Sequence, residues 1–205
     1  MLNRVLTDVD REKYKTIVED MFATCPAMMK RKIPRSYVQQ AFVVDTIIQT
    51  GIKDNILCVG CYEDTAYEYL RAKGWNILGI DPQINYDLYD FIRTTKRHLF
   101  DIVFATSVLE HVQKDELFIS DICRVLAVGG LAILTMDFQE GWEPGDAKPS
   151  SDFRLYTERD YKRLMVIAAR DDCYLVDEFV SDAVPDFEFE KCKYNFSTMV
   201  FRRVK

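Results

Sequence analysis

The 205 residues suit one domain around one continuous core, and with 48% apolar and 29% charged side chains the chain is not a disordered tail. A formal net charge of -6 weighs against a nucleic-acid groove. No apolar run reaches ~18 residues, and the opening MLNRVLTDVDREKYK is too charged for a secretory signal, so neither a membrane span nor export is expected.

Residues 10–24 carry apolar side chains at helical spacing up to Pro26, and a Met- and Lys-rich connector over 27–34 follows. Its basic residues, Lys30, Arg31, Lys32 and Arg35, read as a solvated face. Residues 36–50 predict a second helix, with Ser36 as N-cap and Gly51 as its stop. The pattern then alternates: strand 55–59, helix 64–73 between Asp64 and Gly74, strand 76–80, strand 100–105, helix 114–126 closed by Gly129-Gly130, and strand 131–136. Strands separated by helices signal βαβ units and a parallel sheet, and near-continuous apolar strands fit a sheet covered on both faces. Residues 137–151 turn polar, with two glycines and two prolines, and read as a long functional loop. A helix over 157–169 and strands near 173–179 and 196–203 complete the chain, the last two as an antiparallel, hairpin-like edge. The six cysteines include a C-x-x-C, Cys58 and Cys61. No second pair completes a zinc site and Cys58 lies in the apolar run Ile56–Val59, so they read as reduced, apolar residues of a cytoplasmic protein.

The stretch 55–81 runs strand, glycine turn, helix, strand, acid. A nucleotide cofactor needs this order: glycine lets backbone approach the ligand, and an acid ending the second strand takes the ribose hydroxyls. Gly60 ends the first strand and Asp81 follows 21 residues later, near the spacing of ~20 expected of a ribose-binding acid. A dinucleotide site wants G-x-G-x-x-G for its pyrophosphate, but here Gly60 is followed by Cys61, Tyr62, Glu63 and Asp64. Two carboxylates would repel a pyrophosphate and suit the sulfonium and ammonium of S-adenosylmethionine (SAM). SAM, leaving as S-adenosylhomocysteine (SAH), is therefore the expected cofactor.

Three blocks, ILCVGCYED (56–64), ILGIDP (77–82) and FDIVFATSVLEHVQKDELFISDICRVLAVGGLAILTMDF (100–138), resemble the class I SAM-dependent methyltransferases of the type 11 group. FRLYT (153–157) adds a weaker match. The resemblance implies a Rossmann-like, three-layer α/β/α fold with a mainly parallel seven-stranded sheet. It implies cofactor contacts from the turn Gly60, Cys61, Tyr62 and Glu63, from Asp81 and Pro82, from Leu88 on the adenine side, and from Thr106 and Ser107 on the methionine side. The family's acid-x-Gly-x-Gly-x-Gly is altered: Cys58 replaces the acid, and Tyr62 and Asp64 replace later glycines. Glu63 is then the expected substitute for the acid that holds SAM's amino group. The blocks 56–64, 79–91 and 137–157 most resemble methyltransferases found beside glycan-building enzymes in bacteria and large algal viruses, which implies a glycan acceptor, association with glycosyltransferases, and the host cytoplasm if the source is viral.

A hydroxyl acceptor needs a base. Of two histidines, His98 reads as a surface residue, whereas His111 follows the 100–105 strand at the sheet edge where α/β ligands sit. Asp137 ends the next strand and is the expected partner orienting the imidazole. The loop 138–156 is the expected lid, with Trp142 as a stacking surface for a sugar ring and Asp152, Arg154 and Tyr156 as further acceptor contacts. Glu143, Asp146 and Asp152 show no metal-ligand spacing, so no metal is expected. Residues 1–50 cover the cofactor side of a single domain, 1–205. The reading is O-methylation of a sugar or glycan hydroxyl. Its rivals are another small metabolite as acceptor, protein or RNA methylation, which the acidic balance disfavours, and a methyltransferase-like module that binds without turnover.

Overall fold

The computed structural model describes residues 1–95 and 98–205. A short strand, β1 (Val5–Leu6), precedes four helices: α1 (Asp8–Lys13), α2 (Lys15–Thr24), α3 (Pro26–Met29) and α4 (Tyr37–Thr50). The expected helix over 10–24 is thus broken at Tyr14, and the expected connector holds the single turn α3, with Pro26 at its first position where a missing N–H costs nothing. Gly51 stops α4 as expected, in the left-handed conformation at φ +71°. Ser36 does not cap it; its hydroxyl donates to the Ile33 carbonyl at 2.6 Å.

The alternating segment follows as β2 (Ile56–Val59), α5 (Thr65–Ala72), β3 (Ile77–Ile80), α6 (Leu88–Thr94), β4 (Phe100–Thr106), α7 (Asp115–Val125) and β5 (Leu126–Phe138). The chain closes with α8 (Glu158–Ala169), β6 (Cys173–Leu175), β7 (Phe187–Phe189) and β8 (Cys192–Arg203). Helices α5 and α8 begin where sequence places them: Asp64 accepts the Tyr67 N–H at 2.7 Å, and Thr157 forms a capping box with Asp160. The strands β1 and β7 and the helix α6 were not expected, each being too short to show a period. Strand β5 starts directly at the end of α7, not at 131, because Gly130 lets it run against β4; a Cβ there would stand 2.9 Å from the Phe100 carbonyl.

Along the sheet the order is β1-β8-β5-β4-β2-β3, with β6 and β7 pairing to other parts of β8, eight strands among the described residues rather than the expected seven. Strands β3, β2, β4 and β5 are parallel, and β8 runs antiparallel against β5 from Leu131↔Arg202 to Phe138↔Asn195. The closing strand is therefore interior, with β1 and β6 outside it, and not an edge.

Side chains alternate across the sheet. In β2, Leu57 and Val59 join one core with Ile119 and Ile122 of α7 and Leu164 of α8, while Ile56 and Cys58 join a second with Phe42 and Ile47 of α4 and Leu70 of α5. Helices thus cover both faces in three layers, each fully buried aliphatic or aromatic side chain contributing about 1.5–3 kcal/mol. All six cysteines are free, and Cys58 and Cys61 are buried apolar residues. No helix among the described residues is long and apolar enough to cross a membrane.

Candidate functional site

The parallel strands deliver β2, β3 and β4 to one edge, and β2 lies between the other two, so the chain direction across the sheet reverses there. Ligands of open α/β sheets sit in the crevice outside such a point. A cavity of about 1290 Å³ opens there, larger than a single small ligand needs.

Its cofactor end is built from two turns tied together. Gly60 stands at φ +83°, and its N–H donates to the Ile80 carbonyl at 2.8 Å. Asp81 accepts the Gln83 N–H at 2.8 Å on one oxygen and the Tyr62 N–H at 3.3 Å on the other. Each carboxylate oxygen keeps a second lone pair for a hydroxyl donor. Gly60, Tyr62, Glu63, Asp81, Pro82 and Leu88 all line the cavity. Cys61 does not: its sulfur faces Gly79 of β3, and burial pushes its thiol up to about 11. Glu63 is paired with Arg31, both half-exposed, across the rim. The acid with an unmet oxygen is instead its neighbour Asp64, whose Oδ1 caps α5 while the buried Oδ2 has no partner beside the Thr106 hydroxyl. Burial pushes this carboxyl up, an effect that a cation brought near it would oppose.

Ser107 follows β4 in the left-handed region at φ +57°, a strained conformation for a residue with a side chain. Its N–H donates to the Thr135 carbonyl at 3.1 Å, and its hydroxyl donates to Glu110 at 2.7 Å and accepts from Gln39 at 3.3 Å. The backbone thus turns sharply at the strand end and aims Thr106 and Ser107 into the cavity.

The far end gathers ionisable groups from three segments: Glu110 and His111 in a 3-10 turn (Leu109–His111), Asp137 near the end of β5, and Asp152 in the 139–157 loop. His111 Nδ1 lies 3.1 Å from Asp152 and 3.2 Å from the Ser151 carbonyl. Asp152 raises the imidazole to about 9, against the opposing effect of burial. The expected His111–Asp137 pair is not formed; the loop folds back so that Asp152 takes that place. Asp137 instead lies buried with the Tyr194 hydroxyl, Glu110 and Asp152 around it, and burial followed by the two neighbouring acids holds its carboxyl well above the usual range.

Three expected acceptor contacts are structural. Trp142 is buried, its Nε1–H donating to the Ala147 carbonyl at 3.3 Å. Arg154 donates to Asp115 and to the Gln113 carbonyl, each at 2.9 Å. Tyr156 is fully buried, its hydroxyl donating to the Leu109 carbonyl at 3.1 Å. Arg154 and Tyr156 pin the loop to the start of α7 and the turn before it, and Trp142 fastens the loop to itself. His98 is exposed, as expected. Sequence reasoning missed Gln39 and Gln40 of α4, Glu110, and the aromatic wall of Phe187, Tyr194 and Phe196. Only Glu110, an acid between Leu109 and His111, carried a local signal. Among the described residues no group of three or more His, Cys, Asp or Glu is arranged to hold a metal ion.

This is the fold and cofactor crevice of a class I SAM-dependent methyltransferase. A family profile described as a methyltransferase domain matches residues 10–167, and the chain belongs to that family. A comparison with curated proteins finds no match. Solved structures share the fold: a 1,6-didemethyltoxoflavin-N1-methyltransferase from Burkholderia thailandensis with bound SAH (TM-score 0.60, 14% identity, 96% of this chain and 91% of that one) is one. A putative sarcosine dimethylglycine methyltransferase from Galdieria sulphuraria (TM-score 0.57, 12% identity, 81% and 88%) is another. A third is a SAM-dependent methyltransferase from Clostridium acetobutylicum (TM-score 0.52, 11% identity, 92% and 98%). SAM is the cofactor of this fold, and the crevice fits it: a glycine approach at Gly60, an acid at the end of β3 with lone pairs to spare, and a buried carboxyl at Asp64 with an unmet oxygen.

Proposed function

We propose that the protein transfers a methyl group from SAM to a hydroxyl of a sugar or glycan. The observation that carries this reading is the His111–Asp152 pair at the end of the cavity remote from Asp81. Bound SAM supplies an electrophilic methyl group on a sulfonium. Asp81 holds the ribose hydroxyls, Leu88 and Pro82 flank the adenosine, and Asp64 with Thr106 and Ser107 receives the methionine end. Asp152 fixes the Nδ1–H tautomer, which leaves Nε2 of His111 as the lone pair that takes the acceptor's proton. The 139–157 loop acts as the lid that carries Asp152, and α3 and α4 close the cofactor side, so that the whole chain works as one unit. The aromatic wall gives the apolar face of a sugar ring a surface to lie on. Glycan-building enzymes are the partners that this acceptor implies.

Calorimetric titration with SAH, with NAD as comparison, tests the cofactor. Micromolar SAH affinity that falls at least tenfold in Asp81→Ala is expected, with no NAD binding. In His111→Ala, kcat should drop by about 10²–10⁴ while SAH affinity is kept. A parent-like kcat in His111→Ala would remove His111 as the base, and a parent protein that ignores SAH would overturn methyl transfer itself.

A further inference from the structure

Three carboxyl oxygens in the remote end, Glu110 Oε2, Asp137 Oδ1 and Asp152 Oδ2, receive no N–H or O–H from outside the acid cluster, in which the Asp137 and Asp152 carboxyls lie within reach of each other. All three residues are at least nine-tenths buried and line the cavity. They come from a 3-10 turn, a strand end and a loop, so no single local motif explains their meeting. The other oxygen of Glu110 accepts from Ser107, and that of Asp152 faces His111. Buried acceptors left unmet are costly, and several of them in one cavity point to a ligand that brings several donors.

The surroundings narrow the ligand. Beside the acids stand Phe187, Tyr194 and Phe196, with Phe187 5.1 Å from Tyr194 and 4.6 Å from Phe196, ring centre to ring centre. Among the described residues the cavity is lined by eight Asp or Glu side chains and three Lys or Arg. An anionic group brought to this end would be desolvated among the buried Glu110, Asp137 and Asp152, with the His111 imidazole already engaged by Asp152. A phenol or simple alcohol brings one donor for three acceptors. Burial pushes Glu110 up against the opposing influence of His111, and burial with Glu110 and Asp152 beside it pushes Asp137 toward the protonated form. A protonated carboxyl both donates and accepts, which matches hydroxyls, whereas an ammonium group only donates.

We propose that Glu110, Asp137 and Asp152 form an acceptor subsite that grips an uncharged sugar ring by the hydroxyls adjoining the methylated one, with the ring against Phe187, Tyr194 and Phe196. The subsite excludes sugar phosphates, nucleotide sugars and uronic acids, so methylation follows transfer of the sugar off any phosphorylated carrier. This inference rests on the methyl-transfer reading above.

The test uses the full chain saturated with SAH and a panel of methyl pyranosides: neutral hexoses, 6-deoxyhexoses and pentoses, with their monodeoxy, amino-deoxy, uronate and 6-phosphate counterparts. Binding is read by saturation-transfer NMR, and methyl transfer by mass spectrometry with SAM. At least one neutral pyranoside should bind and be methylated. Removing a hydroxyl next to the methylated position should weaken binding at least tenfold, and the uronate and phosphate should not bind. Asp137→Leu and Asp137→Asn should each weaken pyranoside binding at least tenfold, with SAH affinity within threefold of the parent; the asparagine variant guards against misfolding. Deoxy analogues that bind like their parents, a uronate or phosphate that binds as well, tighter binding of an amino-deoxy sugar with methyl on its nitrogen, or no neutral pyranoside bound would each overturn the subsite. Those outcomes leave SAH binding intact, whereas loss of SAH binding would strike the methyl-transfer reading instead.

Discussion

Replacing Gly60 with alanine perturbs the cofactor turn by one carbon atom. Gly60 stands at φ +83°, where a side chain costs about 1–2 kcal/mol. The added Cβ would lie 2.5 Å from Val108 Cγ2, well inside contact distance. Valine is β-branched with few rotamers, so relief requires a local shift worth about 1–3 kcal/mol. The sum, about 2–5 kcal/mol, lowers the melting temperature by about 4–20 °C in a chain of this size. Gly74→Ala is the control: its φ is +92° and nothing lies within 4 Å of the new Cβ, so only the backbone cost applies, about 2–8 °C. Calorimetry reads both variants, and SAH titration reads the site. Because Val108 lines the cavity, a displaced valine should also weaken SAH at least tenfold in Gly60→Ala. Adding Val108→Ala should restore most of that affinity. Equal melting of the two glycine variants, with SAH affinity unchanged, would refute the close approach of Val108 as the reason for glycine here.

Three further predictions concern the far end and the loop. Because Asp152 raises His111 from 6.5 to about 9 in the folded chain, the pair stabilises the fold fully below pH 6.5, and the contribution is lost as pH rises through about 9. The melting gap between the parent and Asp152→Asn should therefore close between pH 6 and pH 10. For the same reason kcat/KM should rise with pH through a midpoint near 9, with that midpoint lower in Asp152→Asn; a fixed midpoint would remove Asp152 as the cause. Trp142→Ala should cost about 3–5 kcal/mol of stability, while Trp142→Phe keeps the acceptor KM within about twofold. A tenfold rise in KM at unchanged melting in Trp142→Phe would return this residue to the acceptor site.

Much of the fold was legible because its signals are local. Apolar strands read as strands, Asp64 and Gly51 mark helix ends by backbone chemistry within a few residues, and the Gly60-to-Asp81 spacing follows from one strand–helix–strand unit. The charge at Glu63 and Asp64 was enough to argue against a pyrophosphate. Local signals also misled where propensity was overridden: the period over 10–24 continued through Tyr14, but packing broke the helix there.

What only the tertiary structure decided depends on segments far apart in sequence. The partner of His111 is 41 residues away, because the loop after β5 folds back over the sheet edge and sets Asp152, not Asp137, against the imidazole. Trp142, Arg154 and Tyr156 resembled acceptor contacts by type, yet each spends its polar atoms fastening that loop. The aromatic wall arises because β8 is interior to the sheet and carries Tyr194 and Phe196 to the cavity from the end of the chain. Residue type and spacing specify which groups can serve a cofactor turn formed within one βαβ unit. Which acids meet at the acceptor end is set by loop path and strand order, which no local pattern encodes.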